Sequence, residues 1–145
     1  MLDCELLQLA IEARKNSYSP YSGFRVGAAL LTKSGKVYLG CNIENSGFTA
    51  TSCAERTAFF KAVSDGEKEF AAIAIVGGTK GEELQDLCYP CGVCRQVMAE
   101  FCHPDEFQVI CAKSPAEYKV HPLRELIPGC SFCVVDKPVF DKTAN

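Results

Sequence analysis

Leu2, Leu6, Leu9, Ala10 and Ala13 recur at helical spacing, with Glu5, Glu12 and Arg14 on the remaining surface. The pattern predicts a packing helix over Leu2 to Lys15. Asn16 to Gly23 is a loop by its Ser, Tyr, Pro and Gly content. Phe24 to Leu31 then reads as a strand. Its middle, Gly27-Ala28-Ala29, is narrow enough to expect a close approach by another element. Ser34-Gly35 is a hairpin turn signal, and Lys36 to Cys41 is the returning strand. Ser46 to Ser52 is a loop carrying one aromatic, Phe48, which is expected to be exposed. From Cys53 the period is helical again, through Ala54, Ala58, Phe59, Ala62 and Val63. Phe70 to Val76 is a continuous apolar strand, expected to be buried on both faces. Gly77 to Gln85 is a polar loop. A further helix starts after Pro90 and runs through Arg95, Val97, Met98 and Phe101. Phe107 to Ala112 is a strand, and His121 to Ile127 a short helix closed by Pro128-Gly129.

Helices and strands therefore alternate after an opening hairpin. The expected architecture is a three-layer α/β/α sandwich around a mixed sheet of about five strands. The hairpin strands are antiparallel, and the later strands, separated by helices, parallel. The whole chain, 1–145, is read as one catalytic domain, with 136–145 as a loose C-terminal tail.

Composition narrows the function. The chain has 145 residues, 48% hydrophobic and 23% charged, with a net charge of −3 and a pI near 5.4. That balance offers no basic face for nucleic acid and no membrane surface. The acidic start, Met1-Leu2-Asp3-Cys4-Glu5, lacks the basic region of a signal peptide. Ten cysteines would suggest disulfides in a secreted chain. Here they are read as reduced thiols in a cytoplasmic protein. Cys4, Cys41, Cys102 and Cys111 are expected to act as small buried hydrophobes.

Three other cysteines carry chemistry. Cys91 and Cys94 are three residues apart, so one helical turn points both sulfurs the same way. Cys53 supplies a third thiolate from a distant segment. Three protein ligands leave a tetrahedral zinc ion one open position, the mark of a catalytic site, with one zinc per chain. Both segments sit at predicted helix N-termini, where the helix dipole favours thiolates. Glu55 lies two residues from Cys53 and is placed to move protons without being a ligand. Rival groupings exist. Cys88 and Cys91 share the spacing, as do Cys130 and Cys133, but a structural ribbon from Cys91, Cys94, Cys130 and Cys133 leaves Glu55 unexplained. Zinc with three thiolates carries net −1, so a nearby cation is expected to offset it. Arg56 and Arg95 are the candidates, and Arg56 is preferred as a hydrogen-bond donor to the thiolates. Asn42-Ile43-Glu44-Asn45 is a polar patch suited to a ligand with several hydroxyls, since the carboxylate accepts and the amides do both.

Cys53-Ala54-Glu55-Arg56-Thr57-Ala58, Pro90-Cys91-Gly92-Val93-Cys94-Arg95-Gln96-Val97, the stretch from Pro20-Tyr21-Ser22 to Leu31, Gly40 to Asn45, and Glu125 to Pro128 together resemble the small, homotetrameric, zinc-dependent cytidine deaminases. The resemblance implies hydrolytic deamination of cytidine and 2′-deoxycytidine to the uridines with release of ammonia, in pyrimidine salvage. It implies that Asn42 and Glu44 hold the ribose, that Phe24 packs near the base, and that the backbone at Cys53 and Ala54 contacts the pyrimidine. It implies that Gln96 supports Arg56. Zinc-bound hydroxide is then the nucleophile and Glu55 the proton shuttle. Phe48 stands where the family often has Tyr, so it can line the site but brings no hydroxyl. Residues Thr79 to Cys88 are slightly longer than usual. Phe132 falls one place later than the family's aromatic and is the candidate lid over a neighbouring subunit's site. Two other readings are a related deaminase of the blasticidin type and a non-catalytic zinc module. Glu44 argues against the first and Glu55 against the second.

Overall fold

The computed structural model describes residues 1–130. Its elements, in order, are α1 (Asp3–Arg14), β1 (Phe24–Thr32), β2 (Val37–Cys41), α2 (Ala54–Ser64), β3 (Phe70–Thr79), α3 (Gly92–Phe101), β4 (Gln108–Ser114), β5 (Glu117–Pro122) and α4 (Leu123–Leu126). The strands form one sheet in the order β2-β1-β3-β4-β5. β3 and β4 are parallel, and the other neighbouring pairs antiparallel. This is the expected three-layer arrangement. Phe132, Cys133 and the 136–145 tail lie outside the described residues.

Alternation along the strands separates two cores. Ala28, Leu30, Ile73, Ile75, Val109 and Cys111 face α2 and α3. Ala29, Ala74, Val76, Ile110 and Ala112 face α1, meeting Leu6, Leu7 and Ala10. β3 is apolar on both faces because both are covered, as its unbroken apolar run predicts.

Two glycines set how closely the helices approach. A Cβ on Gly27 would stand 2.0 Å from the Ala10 carbonyl oxygen, so α1 rests directly on the narrow middle of β1. On the other face, a Cβ on Gly40 would stand 2.2 Å from the Ala54 carbonyl oxygen and 2.7 Å from the Ala58 nitrogen. Gly40 thus seats the first turn of α2, the turn that carries Glu55, against β2. Backbone cannot yield as a flexible side chain can. Gly40→Ala is therefore expected to destabilise the fold by about 1–3 kcal/mol or more and to lower zinc content by lifting that turn. Denaturant unfolding and elemental analysis of the variant check both outcomes.

Three expectations need correction. The region after β4 is not a helix from His121. Glu117–Pro122 is an edge strand paired with β4, and only Leu123–Leu126 is helical. β3 runs three residues beyond Val76, because Gly77, Gly78 and Thr79 pair with Val26, Arg25 and Phe24. Cys4 is exposed and Cys41 half-buried, while Cys102 and Cys111 are buried as expected. The buried stripe of α1 runs through Leu6, Leu7, Ala10 and Ala13 and leaves Cys4 on its outer side.

Candidate active site

Cys53 is the N-cap of α2 and Cys91 the N-cap of α3. Each has an extended backbone while its carbonyl accepts the first helical hydrogen bond, from Thr57 N at 3.1 Å and Arg95 N at 3.0 Å. Cys94 lies in the first turn of α3 and is 1% exposed. Two helix N-termini therefore converge on one point, each favouring negative charge there. The three sulfurs lie within 4.8 Å of one another. Among the described residues no other group of three His, Cys, Asp or Glu side chains does so.

The spacing fits zinc. Tetrahedral zinc with Zn–S bonds of about 2.3 Å holds its sulfurs about 3.8 Å apart, and Cys53 Sγ is 3.7 Å from Cys91 Sγ. Protonation points the same way. Cys53 is pulled down to about 5, first by a hydrogen bond from the Cys94 thiol and further by Arg56 and Cys91, against the effect of burial. Cys94, whose proton is shared with Cys53, is pushed up, and burial adds to the rise. Of the two, Cys53 is thus the sulfur more readily held as a thiolate.

Of the two arginines, Arg56 serves the thiolates. Its Nη2 donates to Cys53 Sγ at 3.3 Å and makes a long contact of 3.5 Å to the Thr51 carbonyl. Its buried Nε has no hydrogen-bond partner among the described residues. Arg95 points elsewhere, donating from Nε to the Pro90 carbonyl at 2.8 Å and from Nη1 to the Leu126 carbonyl at 2.6 Å. Gln96 is exposed, and among the described residues no hydrogen bond links it to Arg56.

Glu55, the second residue of α2, is 4% exposed. Burial pushes its carboxyl up to about 7, and the Cys53 thiolate adds to the rise. Its own backbone amide, the Cys94 thiol and the charge of Arg56 oppose the shift. A buried carboxyl held near neutrality beside three sulfurs is suited to exchange protons at the working pH.

The polar patch is built from three short segments. Ile43 forms bridges to Tyr18 on one side and Ser52 on the other. The Asn42 Oδ1 accepts from Val26 N at 2.9 Å and from Ser17 Oγ, and its Nδ2 donates to the Phe24 carbonyl at 2.8 Å. Glu44 Oε1 accepts from Tyr21 N at 3.0 Å and Ser22 N at 3.1 Å, and Oε2 from Ser22 Oγ at 2.5 Å. The Ser22 hydroxyl bond, with the backbone bonds behind it, holds Glu44 below the usual carboxylate range. Ser17 and Ser22 were not singled out in the sequence. Their serine-rich loop was legible, but partners 25 and 22 residues away were not.

Phe24, 43% exposed, lines a cleft with Gly77, Gly78, Thr79 and Cys88 at the C-terminal end of β3. Burial pushes the Cys88 thiol up to about 12, and the Glu55 charge adds to the shift. From behind the sheet, Arg14 joins the strand ends at this cleft, donating to the Arg25, Gly78 and Thr79 carbonyls. Ala54 is fully buried, and Phe48 is 93% exposed on a short 3-10 turn, Phe48–Ala50.

A converging set of three thiols with a buried carboxyl beside it defines a metal-dependent hydrolase site. The family model for the cytidine and deoxycytidylate deaminase zinc-binding region matches residues 1–111. A cytidine deaminase from Sporosarcina psychrophila is 47% identical over 125 residues, covering 86% of this chain and 88% of that protein. One from Halalkalibacterium halodurans is 48% identical over 124 residues, covering 86% and 89%. The crystal structure of cytidine deaminase from Burkholderia pseudomallei superposes with a TM-score of 0.81 at 43% identity, covering 90% of this chain and all of that one. The chain belongs to the cytidine and deoxycytidylate deaminase family.

Proposed function

We propose that this chain deaminates cytidine and 2′-deoxycytidine in pyrimidine salvage, with Glu55 as the proton shuttle. It is an enzyme of the cytidine deaminase kind, with zinc as its cofactor and a small nucleoside as its substrate. The observation that carries the detailed reading is Glu55, a carboxyl 4% exposed and raised to about 7 beside the three sulfurs. A structural zinc site has no use for such a group.

Cys53, Cys91 and Cys94 would hold the metal. When bound, zinc supplies an activated water as nucleophile. Glu55 would accept a proton from that water and pass it to N3 of the base as C4 is attacked, then take the remaining proton of the new C4 hydroxyl and hand it to the amine, which leaves as ammonia. Arg56 offsets the excess charge of the thiolates. Phe24 provides an apolar wall for the base, and the backbone of Cys53 and Ala54 faces the pyrimidine.

The sugar would meet what remains free in the polar patch. A carboxylate has about four acceptor sites, and the three bonds to Glu44 leave one. Asn42 keeps one N–H of its amide after donating to Phe24. One acceptor and one donor are complementary to ribose hydroxyls. Glu44→Ala is expected to lower kcat/KM for cytidine roughly 10- to 100-fold with zinc content unchanged. Steady-state kinetics with elemental analysis checks this, and unchanged kinetics would take Glu44 out of the site. Blasticidin S, assayed alongside, tests the alternative substrate.

The chain is proposed to work as a homotetramer in the cytoplasm. Phe48 at 93% exposure, Val93 at 57% and Phe60 at 51% are apolar side chains that the described residues do not cover. In that assembly Phe48 is the candidate to line the site, and Phe132 the candidate lid over a neighbouring subunit's site. Among the described residues no helix is long and apolar enough to cross a membrane. Incubation with cytidine, following loss of the cytosine absorbance band with and without a chelator, tests the activity. Light scattering tests the assembly.

A further inference from the structure

Two bridges run from the segment just before Cys91 to the β5–α4 corner, and the deamination chemistry uses neither. In the first, the Tyr89 hydroxyl meets His121 Nε2 at 3.2 Å, with the two rings 5.5 Å apart. His121 Nδ1 in turn meets Glu125 Oε2 at 3.0 Å. In the second, the Arg95 guanidinium ties the Pro90 carbonyl to the Leu126 carbonyl. Both bridges end on adjacent residues of α4, and both begin on the two residues that lead into Cys91. Cys91 itself is exposed, whereas Cys94 is fixed within the α3 core contact. Of the three sulfurs, Cys91 is therefore the one that packing holds least.

We propose that Tyr89, His121 and Glu125 are positioning residues that hold Cys91 against the metal and so slow its loss. The inference rests on zinc being bound by Cys53, Cys91 and Cys94, and not on the identity of the substrate. The physical argument is one of stiffness. A thiolate on an exposed loop end can swing away and open a path for the metal to leave. Pro90 transmits the restraint, because its fixed φ removes one of the four soft torsions between the α-carbons of Tyr89 and Cys91. The two bridges tie neighbouring points of the chain to different elements: Tyr89 to β5 through His121, and the Pro90 carbonyl to the end of α4 through Arg95. Groups behind metal ligands commonly change metal affinity by about 10- to 100-fold.

The test is zinc release from the full-length, zinc-loaded protein into a chromogenic chelator, together with cytidine turnover before chelation and thermal unfolding. Tyr89→Phe removes one oxygen and keeps the ring, so it cannot fail through loss of packing. His121→Ala removes both contacts of the bridge, and His121→Gln keeps a polar atom in reach of Tyr89. Expected are zinc release about tenfold faster in His121→Ala, a smaller acceleration in Tyr89→Phe, and partial recovery in His121→Gln. The kcat of each loaded enzyme is expected to stay at the parent value. In a Tyr89→Phe, His121→Ala double variant the two effects should not add, because one bridge is already broken. Release at the parent rate in both single variants overturns the proposal. So does faster release that only follows a lowered unfolding temperature, with no recovery in His121→Gln. A parent protein that binds zinc but does not turn over cytidine would instead overturn the substrate reading and leave this one standing.

Discussion

Glu55→Gln is expected to leave the fold and the zinc in place and to remove nearly all turnover. Glutamine has the shape of glutamate and can still hydrogen-bond. It fits the buried position in the first turn of α2 without a new charge, and it is not one of the three sulfur ligands. It cannot take a proton from the nucleophilic water or return one to the leaving amine. Each transfer by a positioned side chain typically contributes about 10²- to 10⁴-fold. One residue is assigned several, so the loss should reach the top of that range or pass it. Zinc content and cytidine turnover should be measured on one preparation. Near-normal turnover at full zinc would show that Glu55 is not the shuttle. Glu55→Asp separates charge from reach, since it keeps a carboxyl but shortens it by one methylene. It should retain zinc and recover part of the activity.

The parts of this molecule that sequence made legible are those whose cause is local. Pro90-Cys91-Gly92-Val93-Cys94 announces its own helix start and places two sulfurs on one turn. Ser34-Gly35 is a turn because Gly35 adopts a φ of 95°. The narrow middle of β1 foretold the close seat of α1, since the missing side chain at Gly27 is itself the reason for the contact. What stayed hidden depends on partners distant in the chain. β5 went unseen because an edge strand has little to bury. Tyr118 and Val120 remain 37% and 39% exposed, and His121-Pro122 imitates a helix start. The direction of Arg95 was not legible either, because its acceptor at Leu126 lies 31 residues on. No spacing rule links Cys53 to the pair at 91 and 94 across 38 residues; what pointed to it was local again, a predicted helix N-terminus with Glu55 two residues on.

The fold also explains why the site sits where it does. The α2 and α3 N-termini meet on one face of the sheet, beside the C-terminal end of β3. That end of a strand is where α/β proteins place ligand clefts. Gly40 lets the Ala54 carbonyl lie against β2, and Gly77 admits the Phe24 ring to within 3.1 Å of where a Cβ would be. Two absent side chains thus set how closely Phe24 lies against β3 and how closely the turn carrying Glu55 lies against β2. The same economy appears in Asn42, whose amide bonds to β1 on both its oxygen and its nitrogen before it can meet any ligand. Its replacement would disturb Phe24 as well as the sugar contact, so a kinetic defect there is less informative than one at Glu44.

Cys94→Ala is expected to abolish zinc retention and turnover together, and added zinc should not restore either. Cys94 is 1% exposed and lies within the core between α3 and the sheet, so its sulfur has no freedom to be replaced by a neighbour. Removing the Cys94 sulfur therefore costs one of the three ligands outright. The parent protein stripped with a chelator should behave differently: inactive while stripped, and active again on return of zinc. Every thiol that binds as thiolate must give up its proton, so recovery should be faster and more complete as pH rises through the neutral range. Zinc by elemental analysis, turnover of cytidine and thermal unfolding of both proteins decide the outcome. A Cys94→Ala protein that holds one zinc per chain would show that the metal is not carried by these three sulfurs. A stripped parent that still turns over cytidine at its former rate would remove zinc from the reaction altogether.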